Sequence, residues 1–185
     1  MRFVPVLLSL LAGAVCAPAA AERWLLVDSE KGTLAVMEDG QALRVFRHVA
    51  VGRGGVAVAR RAGDGTTPSG EFRIAWINPD SPYHLFFGLD YPGVTQAEEA
   101  LRRRLIDPDT YERIRHARDR GELPPQDTEL GGYIGIHGVG TMNAGINPRY
   151  NWTQGCIALS DEEIDHLARW AGIGTRVVIR CRARA

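Results

Sequence analysis

The sequence predicts a mainly β protein, a β-sandwich that carries a helical insertion and one late helix. Three observations support this class. Short apolar segments with strand composition recur along the chain, clusters of glycine, proline and asparagine separate them, and helix-start signals are few. Short strands with frequent turns favour a sandwich or barrel over a parallel sheet.

The strands are predicted from apolar, β-rich segments that end at turns. The first is RWLLVD. The next segment, TLAVMEDGQALRVFRHVAVG, divides at Asp39-Gly40, and Asp-Gly between alternating apolar residues is a strong hairpin signal. Further strands are predicted at EFRIAWI, YIGIHG, CIAL and TRVVIR.

Each predicted helix begins at a capping signal, and the three signals are Thr95–Glu98, Asp107-Pro108 and Ser160–Glu163. The last helix stops at Gly172, where glycine favours a helix end. The first two helices form an insertion at about 93–130, inside a connection far longer than the usual 4–6 residues. Such an insertion often covers a binding face.

The charge balance gives no reason to expect a strongly charged partner. The arginines of the insertion alternate with acidic residues, so we expect a solvated helix surface there rather than an anion-binding patch. Without Arg2, 21 basic side chains stand against 22 acidic ones, and this balance gives no reason to expect nucleic acid as a partner. Residues 22–185 are long enough for one domain with a substantial core.

Residues 1–21 are predicted to be a secretory signal peptide. One charge is followed by an apolar run from Phe3 to about Leu11 and by small residues ending at Ala21. The run is too short to span a bilayer and no later segment comes close, so we expect an exported chain without a transmembrane segment. A lipid anchor at Cys16 is disfavoured because the bulky Val15 precedes it.

Cys156 and His137 form the candidate reactive pair. His137 ends the apolar strand in YIGIHG, and Cys156 follows nineteen residues later. A thiol is a few per cent ionised at pH 7, so a nucleophilic cysteine needs an imidazole to take its proton or stabilise its anion. Alternatively, Cys156 forms a disulfide with Cys181.

Gly155 allows two interpretations. Its missing side chain could let an acyl group approach backbone N–H donors, such as that of Cys156, or it could simply permit a tight turn. We expect the other histidines (His48, His84, His116 and His166) to be structural or solvated. No metal or other cofactor is expected, because His137 and Cys156 lack the additional closely spaced ligands of a zinc site.

Two motifs resemble one known family. IHG followed by WTQGCIAL resembles the His-Gly and Ser/Thr-x-Gly-Cys pattern of the L,D-transpeptidase (YkuD) domain. GDGTTPSGEFRI resembles the Thr-Pro-x-Gly-x-Phe/Tyr segment that precedes it in that family. The likeness extends from about Trp24 to Arg180, and it implies a YkuD-type sandwich that acts on peptidoglycan in the periplasm or cell wall.

The resemblance also implies roles for individual residues. Cys156 matches the nucleophile, His137 the proton acceptor and donor, and Gly155 the oxyanion-hole region, while the carbonyl of Gly138 would hold the imidazole. We expect the substrate-binding residues to lie in and just before the cysteine motif, and they are Arg149, Tyr150, Trp152, Thr153 and Gln154. Trp152 and Tyr150 could equally belong to the core.

The chain departs from the commonest family pattern at two positions. Gln154 stands where many members have histidine and Ala158 where many have arginine, which removes a bidentate partner for a carboxylate. Both departures and the insertion resemble the YafK-like branch, which contains members that cleave peptidoglycan links.

The implied activity is acyl transfer or hydrolysis on peptidoglycan stem peptides through a thioester on Cys156. An amine acceptor, including one on a wall-anchored lipoprotein, would give transpeptidation or anchoring, and water would give carboxypeptidase or amidase activity. The alternative is an inactive peptidoglycan-binding module of the same fold.

Overall fold

The computed structural model describes residues 22–141 and 150–181, so the predicted signal peptide and Arg149 lie outside the described residues. The described residues form ten strands and three helices: β1 (Trp24–Asp28), β2 (Thr33–Glu38), β3 (Gln41–Arg47), β4 (Val56–Ala57), β5 (Thr67–Pro68), β6 (Gly70–Ser81), β7 (His84–Leu89), α1 (Val94–Arg102), α2 (Pro108–Asp119), β8 (Gly135–His137), β9 (Ile157–Ala158), α3 (Asp161–Leu167) and β10 (Arg176–Arg180).

Eight of these strands form one mixed sheet in the order β3-β2-β1-β10-β6-β7-β8-β9, and β4 and β5 form a separate pair. The long strand β6 joins the two halves of the sheet, because its first residues pair with β10 and its later residues pair with β7. β1 and β10 are parallel, as are β8 and β9. The predicted mainly β class, with a helical insertion and one late helix, is confirmed.

The predicted hairpin lies between β2 and β3. Its two turn residues, Asp39 and Gly40, have φ values of 49° and 77°. A two-residue turn of this kind needs φ above zero at both positions, and Asp-Gly meets that need at low cost. The hairpin prediction is therefore confirmed, and its register follows from a purely local signal.

One hydrophobic core joins both halves of the sheet. Alternating residues of β1, Leu25 and Val27, are almost completely buried, as are Val177 and Ile179 of the adjacent β10. The same cluster includes Ile136 of β8. Burying each such side chain contributes roughly 1.5–3 kcal/mol, so β8 is anchored firmly where it delivers its last residue.

Two of the three predicted helix starts are confirmed. The Ser160 hydroxyl accepts from the Glu163 N–H at 3.2 Å, and the Glu163 carboxylate accepts from the Ser160 N–H at 3.2 Å, which is a complete capping box for α3. Asp107 caps α2 by accepting from the Thr110 N–H at 2.7 Å. α3 ends at Leu167, several residues before the predicted stop.

The predicted capping box at Thr95 is wrong. α1 begins at Val94 after the N-cap residue Gly93, and no side chain caps it. Gln96 explains the difference, because its Nε2 donates to the carbonyl of Ser69 at 2.8 Å and its side chain fills the space that a side chain at Gly93 would need. Tertiary contact thus decided where this helix begins.

The insertion packs on the core. Ala97, Ala100 and Ile114 are fully buried, whereas several arginines pair with acidic neighbours on the surface, for example Arg115 with Glu112 at 2.7 Å. The expectation of a solvated, internally paired helix surface therefore agrees with these contacts. Among the described residues, no helix combines the length and apolar character needed to cross a membrane.

Candidate active site

One cavity has both Cys156 and His137 in its wall. Its volume is about 680 Å³. The rest of its wall carries no formal charge among the described residues and is rich in aromatic rings: Trp76, Asn78, Ser81, Pro82, Tyr83, Phe86, Tyr133, Trp152, Thr153 and Gln154. A cavity of this size accommodates several residues of an extended peptide or a small organic ligand. None of the lining residues belongs to α1 or α2, so these helices do not cover the cavity wall.

His137 is the last residue of β8 and is 2 % exposed. Its Nδ1 lies 2.6 Å from the carbonyl oxygen of Gly138. Because a carbonyl oxygen can only accept, Nδ1 carries the ring proton of the neutral imidazole and Nε2 keeps its lone pair. This contact is the one that the resemblance implies for Gly138, and it leaves Nε2 as the nitrogen that can accept a proton.

Aromatic rings surround the His137 imidazole. Tyr83 lies 4.4 Å away between ring centroids, Phe86 lies parallel to it at 5.9 Å, and Trp152 meets it edge-on at 6.0 Å. Burial lowers the pKa of His137, and the hydrogen bond to Gly138 opposes this effect. The imidazole is therefore neutral at pH 7 and able to act as a base.

Cys156 is half-buried and lies directly before β9. Its thiol donates to the carbonyl oxygen of Tyr133 at 3.5 Å. Burial raises the pKa of Cys156 to about 11, although the N–H of Gly135 and the positive charge of Arg60 both favour the thiolate. The thiol thus keeps its proton at neutral pH and needs a base to become nucleophilic.

Thr153 fixes the turn that presents the thiol. Its hydroxyl donates to the carbonyl of Cys156 at 2.6 Å and accepts from the N–H of Gly155 at 3.2 Å. The side chain is 3 % exposed, and both functions of its hydroxyl are satisfied inside the turn. Thr153 therefore supports the turn, and its role in substrate binding stays a prediction.

Gly155 has a φ of 129°, in a region that residues with a side chain rarely adopt. A Cβ built on it would lie 2.7 Å from the carbonyl oxygen of Thr66 and 3.0 Å from Nη1 of Arg60. Protein atoms, rather than open cavity, fill this space. The turn interpretation consequently accounts for Gly155, and the close approach of an acyl group is not needed to explain it.

Arg60 lies against the same turn, although sequence reasoning missed it. Its side chain is 4 % exposed, and its Nη2 donates to the carbonyl of Gln154 at 3.1 Å. Arg60 and Gln154 are separated by 94 positions in the sequence, so no local pattern links them. Its place shortly before the TTPSG motif is the one available hint.

Asp161 supports the loop that follows His137. Its Oδ1 accepts from the N–H groups of Val139 and Gly140 at 2.7 and 2.9 Å. Asp161 is also the first residue of α3, so the helix start holds the exit of β8. The sequence showed Asp161 only as an interior member of a capping box, and its second role depends on contacts 21 and 22 positions away.

An aromatic shelf forms another part of the cavity wall. Trp76 stacks on Phe86 at 5.2 Å between centroids, and Tyr133 meets Trp76 edge-on at 6.3 Å. Gly88 and Gly135 leave room for these rings, because a Cβ at Gly88 would overlap Trp76 and one at Gly135 would overlap Phe86. Two strand glycines thus allow large rings to lie flat against the sheet.

Tyr133 connects the insertion to the thiol. Its N–H donates to Oε1 of Gln126 at 2.7 Å, and its carbonyl accepts from Cys156. Its φ of 53° is unusual for a residue with a side chain, and such strain persists only where surrounding contacts enforce it. Tyr133 is 67 % exposed and lines the cavity.

The predicted substrate residues divide into three groups. Trp152 and Gln154 line the cavity with Thr153, although the Thr153 hydroxyl is used internally. Tyr150 is 71 % exposed, so the core interpretation is wrong; it is not among the described residues that line this cavity, and its groove role stays a prediction. Arg149 lies outside the described residues.

The disulfide alternative is contradicted, because Cys156 and Cys181 are both free and Cys181 is exposed. Of the other histidines, His84 pairs with Asp165 at 2.9 Å on the surface. Within residues 22–141 and 150–181, no group of three His, Cys, Asp or Glu side chains is placed to hold a metal ion.

Solved structures share this fold at low sequence identity. Pgp2 from Campylobacter jejuni, described as a helical cell shape determining protein, aligns with a TM-score of 0.59 and 18% identity over 89% of this chain and 49% of its own. Bd1075 from Bdellovibrio bacteriovorus aligns with a TM-score of 0.56 and 18% identity, over 86% and 48%.

An L,D-transpeptidase from Xylanimonas cellulosilytica aligns with a TM-score of 0.50 and 18% identity, over 89% of this chain and 63% of its own. The chain therefore spans less than two thirds of each of these structures. A comparison with curated protein sequences finds no significant match. Residues 22–179 match the L,D-transpeptidase catalytic domain (YkuD), and the chain belongs to this family.

Proposed function

We propose that this protein is a cysteine-dependent acyltransferase or hydrolase that remodels peptidoglycan stem peptides through a thioester intermediate. The observation that carries the proposal is one cavity whose wall contains a protonated thiol, Cys156, and a neutral imidazole, His137, with its Nδ1 proton held by Gly138. Family membership over residues 22–179 supplies the substrate class.

The first chemical step is attack on the substrate carbonyl. The proton of the Cys156 thiol passes to Nε2 of His137, and the sulfur forms a bond to the carbonyl carbon of the third stem residue. The oxygen of that carbonyl becomes negative. The N–H of Cys156, in the turn shaped by Gly155 and Thr153, is the proposed donor to this oxygen, and one such donor contributes roughly 10²–10³ in rate.

The second step releases the leaving group. As the carbonyl re-forms, the bond to the terminal D-alanine nitrogen breaks, and that nitrogen takes the proton from His137. An amine or water then attacks the thioester, gives its proton to His137, and displaces the sulfur, which recovers the proton. The neutral starting pair makes His137 both acceptor and donor in one cycle.

The proposal also concerns which molecule accepts the acyl group from Cys156. The described cavity wall contains no arginine or lysine, and Ala158 replaces the usual motif arginine. A cross-linking enzyme must hold a second stem long enough to outcompete water, which depends on positioning. We favour cleavage or exchange at a wall-peptide bond, in line with the resemblance to the YafK-like branch, over efficient stem-to-stem cross-linking.

In the test, the purified protein is incubated with tetrapeptide muropeptides and with peptide-linked wall fragments. Each substrate is offered with and without an excess of D-amino acid or of a second stem. Mass spectrometry identifies every product, and Cys156→Ala is the matched control. We expect released or exchanged peptide that depends on Cys156. Efficient 3→3 dimers without released or hydrolysed peptide would overturn the cleavage assignment, and no Cys156-dependent product at all would overturn the proposal.

The proposal includes location and process. We propose that residues 1–21 direct export and that the protein acts in the periplasm or cell wall, with stem peptides as substrate and a wall-anchored lipoprotein as a candidate acceptor. Pgp2 is a cell shape determining protein, and a role in cell shape for this chain is part of the proposal.

A further inference from the structure

Arg60 is an unusual buried cation that the proposed chemistry has not used. Its side chain is 4 % exposed, and Nε is the one buried side-chain nitrogen or oxygen without a hydrogen-bond partner in residues 22–141 and 150–181. Burying a charge is costly unless it is fully paired. The contacts around Arg60 should therefore show what this buried charge does.

The surroundings of Arg60 form the turn before the nucleophile. Nη2 donates to the carbonyl of Gln154 at 3.1 Å, and Nη1 lies 3.0 Å from the Cβ position of Gly155. Cys156 is the next residue. The guanidinium therefore lies against the backbone that aims the thiol, on the side of the turn that faces the protein interior.

The charge of Arg60 is only partly neutralised. The carboxylate of Asp64 is 3.6 Å from Nε, beyond hydrogen-bond distance, and its oxygens already accept from the N–H groups of Arg61 and Thr66 at 2.8 Å each. The charge of Arg60 also acts on Tyr91. Burial raises the pKa of Tyr91, so Tyr91 remains a neutral phenol and does not neutralise that charge.

The other groups near Cys156 are neutral. His137 shares its cavity and is neutral, the carbonyl of Tyr133 accepts from the thiol, and the N–H of Gly135 favours the thiolate. Arg60 is the one formal charge that the pKa of Cys156 responds to among the described residues. Its field is also the kind that stabilises the negative oxygen formed during acyl transfer.

We propose that Arg60 is a positioning residue for the nucleophile: it holds the Gln154 carbonyl and sets a buried positive charge beside the turn, which stabilises the Cys156 thiolate. The role rests on the proposed function, since a stabilised thiolate is useful to an enzyme that attacks carbonyls. Where the resemblance would place an arginine this chain has Ala158, and the cation beside the turn is Arg60, from the segment between β4 and β5.

The test measures the thiolate without any peptidoglycan substrate. The full chain is alkylated with iodoacetamide, a neutral reagent, from pH 7 to 9.5, and mass spectrometry reads the Cys156 peptide separately from the other cysteines. Below the thiol pKa, the rate should rise about tenfold per pH unit, because it follows the thiolate fraction. Each variant is first checked for its fold by circular dichroism and a melting curve.

Arg60→Met removes the charge and should slow alkylation of Cys156 about tenfold or more at every pH, equivalent to at least about one unit of pKa. Arg60→Lys keeps the charge and should stay within about threefold of the wild type. Arg61→Met, which removes the same charge from the exposed neighbour, should also stay within about threefold. A purely structural role predicts the opposite sign, because a loosened turn exposes the thiol and speeds alkylation.

A variant with the opposite expectation guards against misfolding of Arg60→Met. Asp64→Asn removes the nearest carboxylate, leaves Arg60 less neutralised, and should speed alkylation of Cys156 about threefold or more. Unchanged or faster alkylation in a folded Arg60→Met variant would overturn the proposal. If that variant does not fold, unchanged or slower alkylation in Asp64→Asn would do so. Failure of muropeptide turnover would leave both readouts intact and would count against the proposed function alone.

Discussion

At the scale of single residues, burial sets the protonation states from which any reaction at Cys156 must start. Burial raises the pKa of this thiol to about 11 and lowers the pKa of His137 below its ordinary 6.5. Both groups are therefore neutral at pH 7. A proton has to move during attack, in contrast to enzymes that rest as a thiolate and imidazolium pair.

These states predict the pH dependence of turnover. The base works when His137 is neutral, so kcat/KM should rise with pH through the lowered pKa of His137, which is below 6.5, and then stay level from about pH 7 to 9. The thiol retains its proton until about pH 11 and adds no second rise in that window. A profile that keeps climbing tenfold per unit through pH 8 would contradict the neutral pair.

Substitutions divide the cysteines and histidines by role. Cys156→Ala should abolish turnover, and His137→Ala should lower kcat by at least about 10², the scale of a lost general base. Cys181→Ala is the matched control and should keep wild-type rates, because Cys181 is exposed and free. Steady-state kinetics on muropeptides provides the measurement. Loss of activity in folded Cys181→Ala, or its survival in Cys156→Ala, would reverse the assignment.

Sequence reasoning found the residues of this site that belong to a local motif. Cys156, His137 and Gly138 stand in short, ordered patterns, and the structure brings the first two into one cavity wall. Arg60 and Asp161 escaped because their contacts join segments distant in the chain. Both are charged side chains in polar segments, where the sequence reads equally well as a solvated surface.

At the scale of elements, the first turn of α3 supports the end of β8. Asp161 Oδ1 accepts two N–H groups from the loop that carries Gly138, whose carbonyl orients His137. The start of α3 is thereby linked to the imidazole through two contacts: Asp161 holds the loop, and Gly138 of that loop holds His137. A carboxylate in this position forms charge-assisted hydrogen bonds, which are stronger than neutral ones.

Asp161→Ala should release this loop. We expect a loss of about 1–3 kcal/mol in the free energy of unfolding, because two N–H groups lose a charged acceptor. The kcat should fall as well, since Gly138 no longer holds the ring in one orientation. Chemical denaturation and kinetics check both effects. Glu162→Ala, on the exposed side of the same turn, should change unfolding by less than about 0.5 kcal/mol. Equal effects of the two variants would refute the role of Asp161.

Element prediction succeeded where the signal was local. The Asp39-Gly40 turn and the Ser160 capping box each depend on a few adjacent residues, and both are present. β7 was missed because Leu85 to Leu89 are largely apolar on both faces and lack the alternation of a half-exposed strand. Such a strand is recognisable only once its partners β6 and β8 are known.

At the scale of the whole molecule, two distant stretches build the candidate site. Residues 50–69 contact β9 through the bridge between Ala50 and Ala158, and they contact the stretch that leads into β9 through the bridge between Gly52 and Thr153. The same region supplies Arg60 and the Thr66 carbonyl against the turn at Gly155. The segment around the TTPSG motif and the cysteine motif thus contact each other directly in this structure.

The export proposal makes a prediction about the mature protein. Signal peptide cleavage after the small residues ending at Ala21 should leave a chain that begins close to Glu22. Two residues later the first strand starts at Trp24, so cleavage would spare the folded part. Mass spectrometry of the protein recovered from the periplasmic fraction measures this end. An intact residue 1 on protein found outside the cytoplasm would contradict the prediction.

The parallel pairing of β1 with β10 affects when the sheet can be completed during synthesis of the chain. β10 occupies the middle of the large sheet, between β1 and β6, yet it is the last strand of the ten along the described chain. A chain made only as far as Thr175 lacks β10, the strand that lies between β1 and β6 in the sheet. The pairing of β1 with β10 joins the first strand to the last, and contacts of such long sequence separation form slowly, so the large sheet cannot be completed until synthesis is nearly over. If residues 1–21 direct export as proposed, the incomplete sheet would leave the chain without its finished fold while a membrane channel threads it.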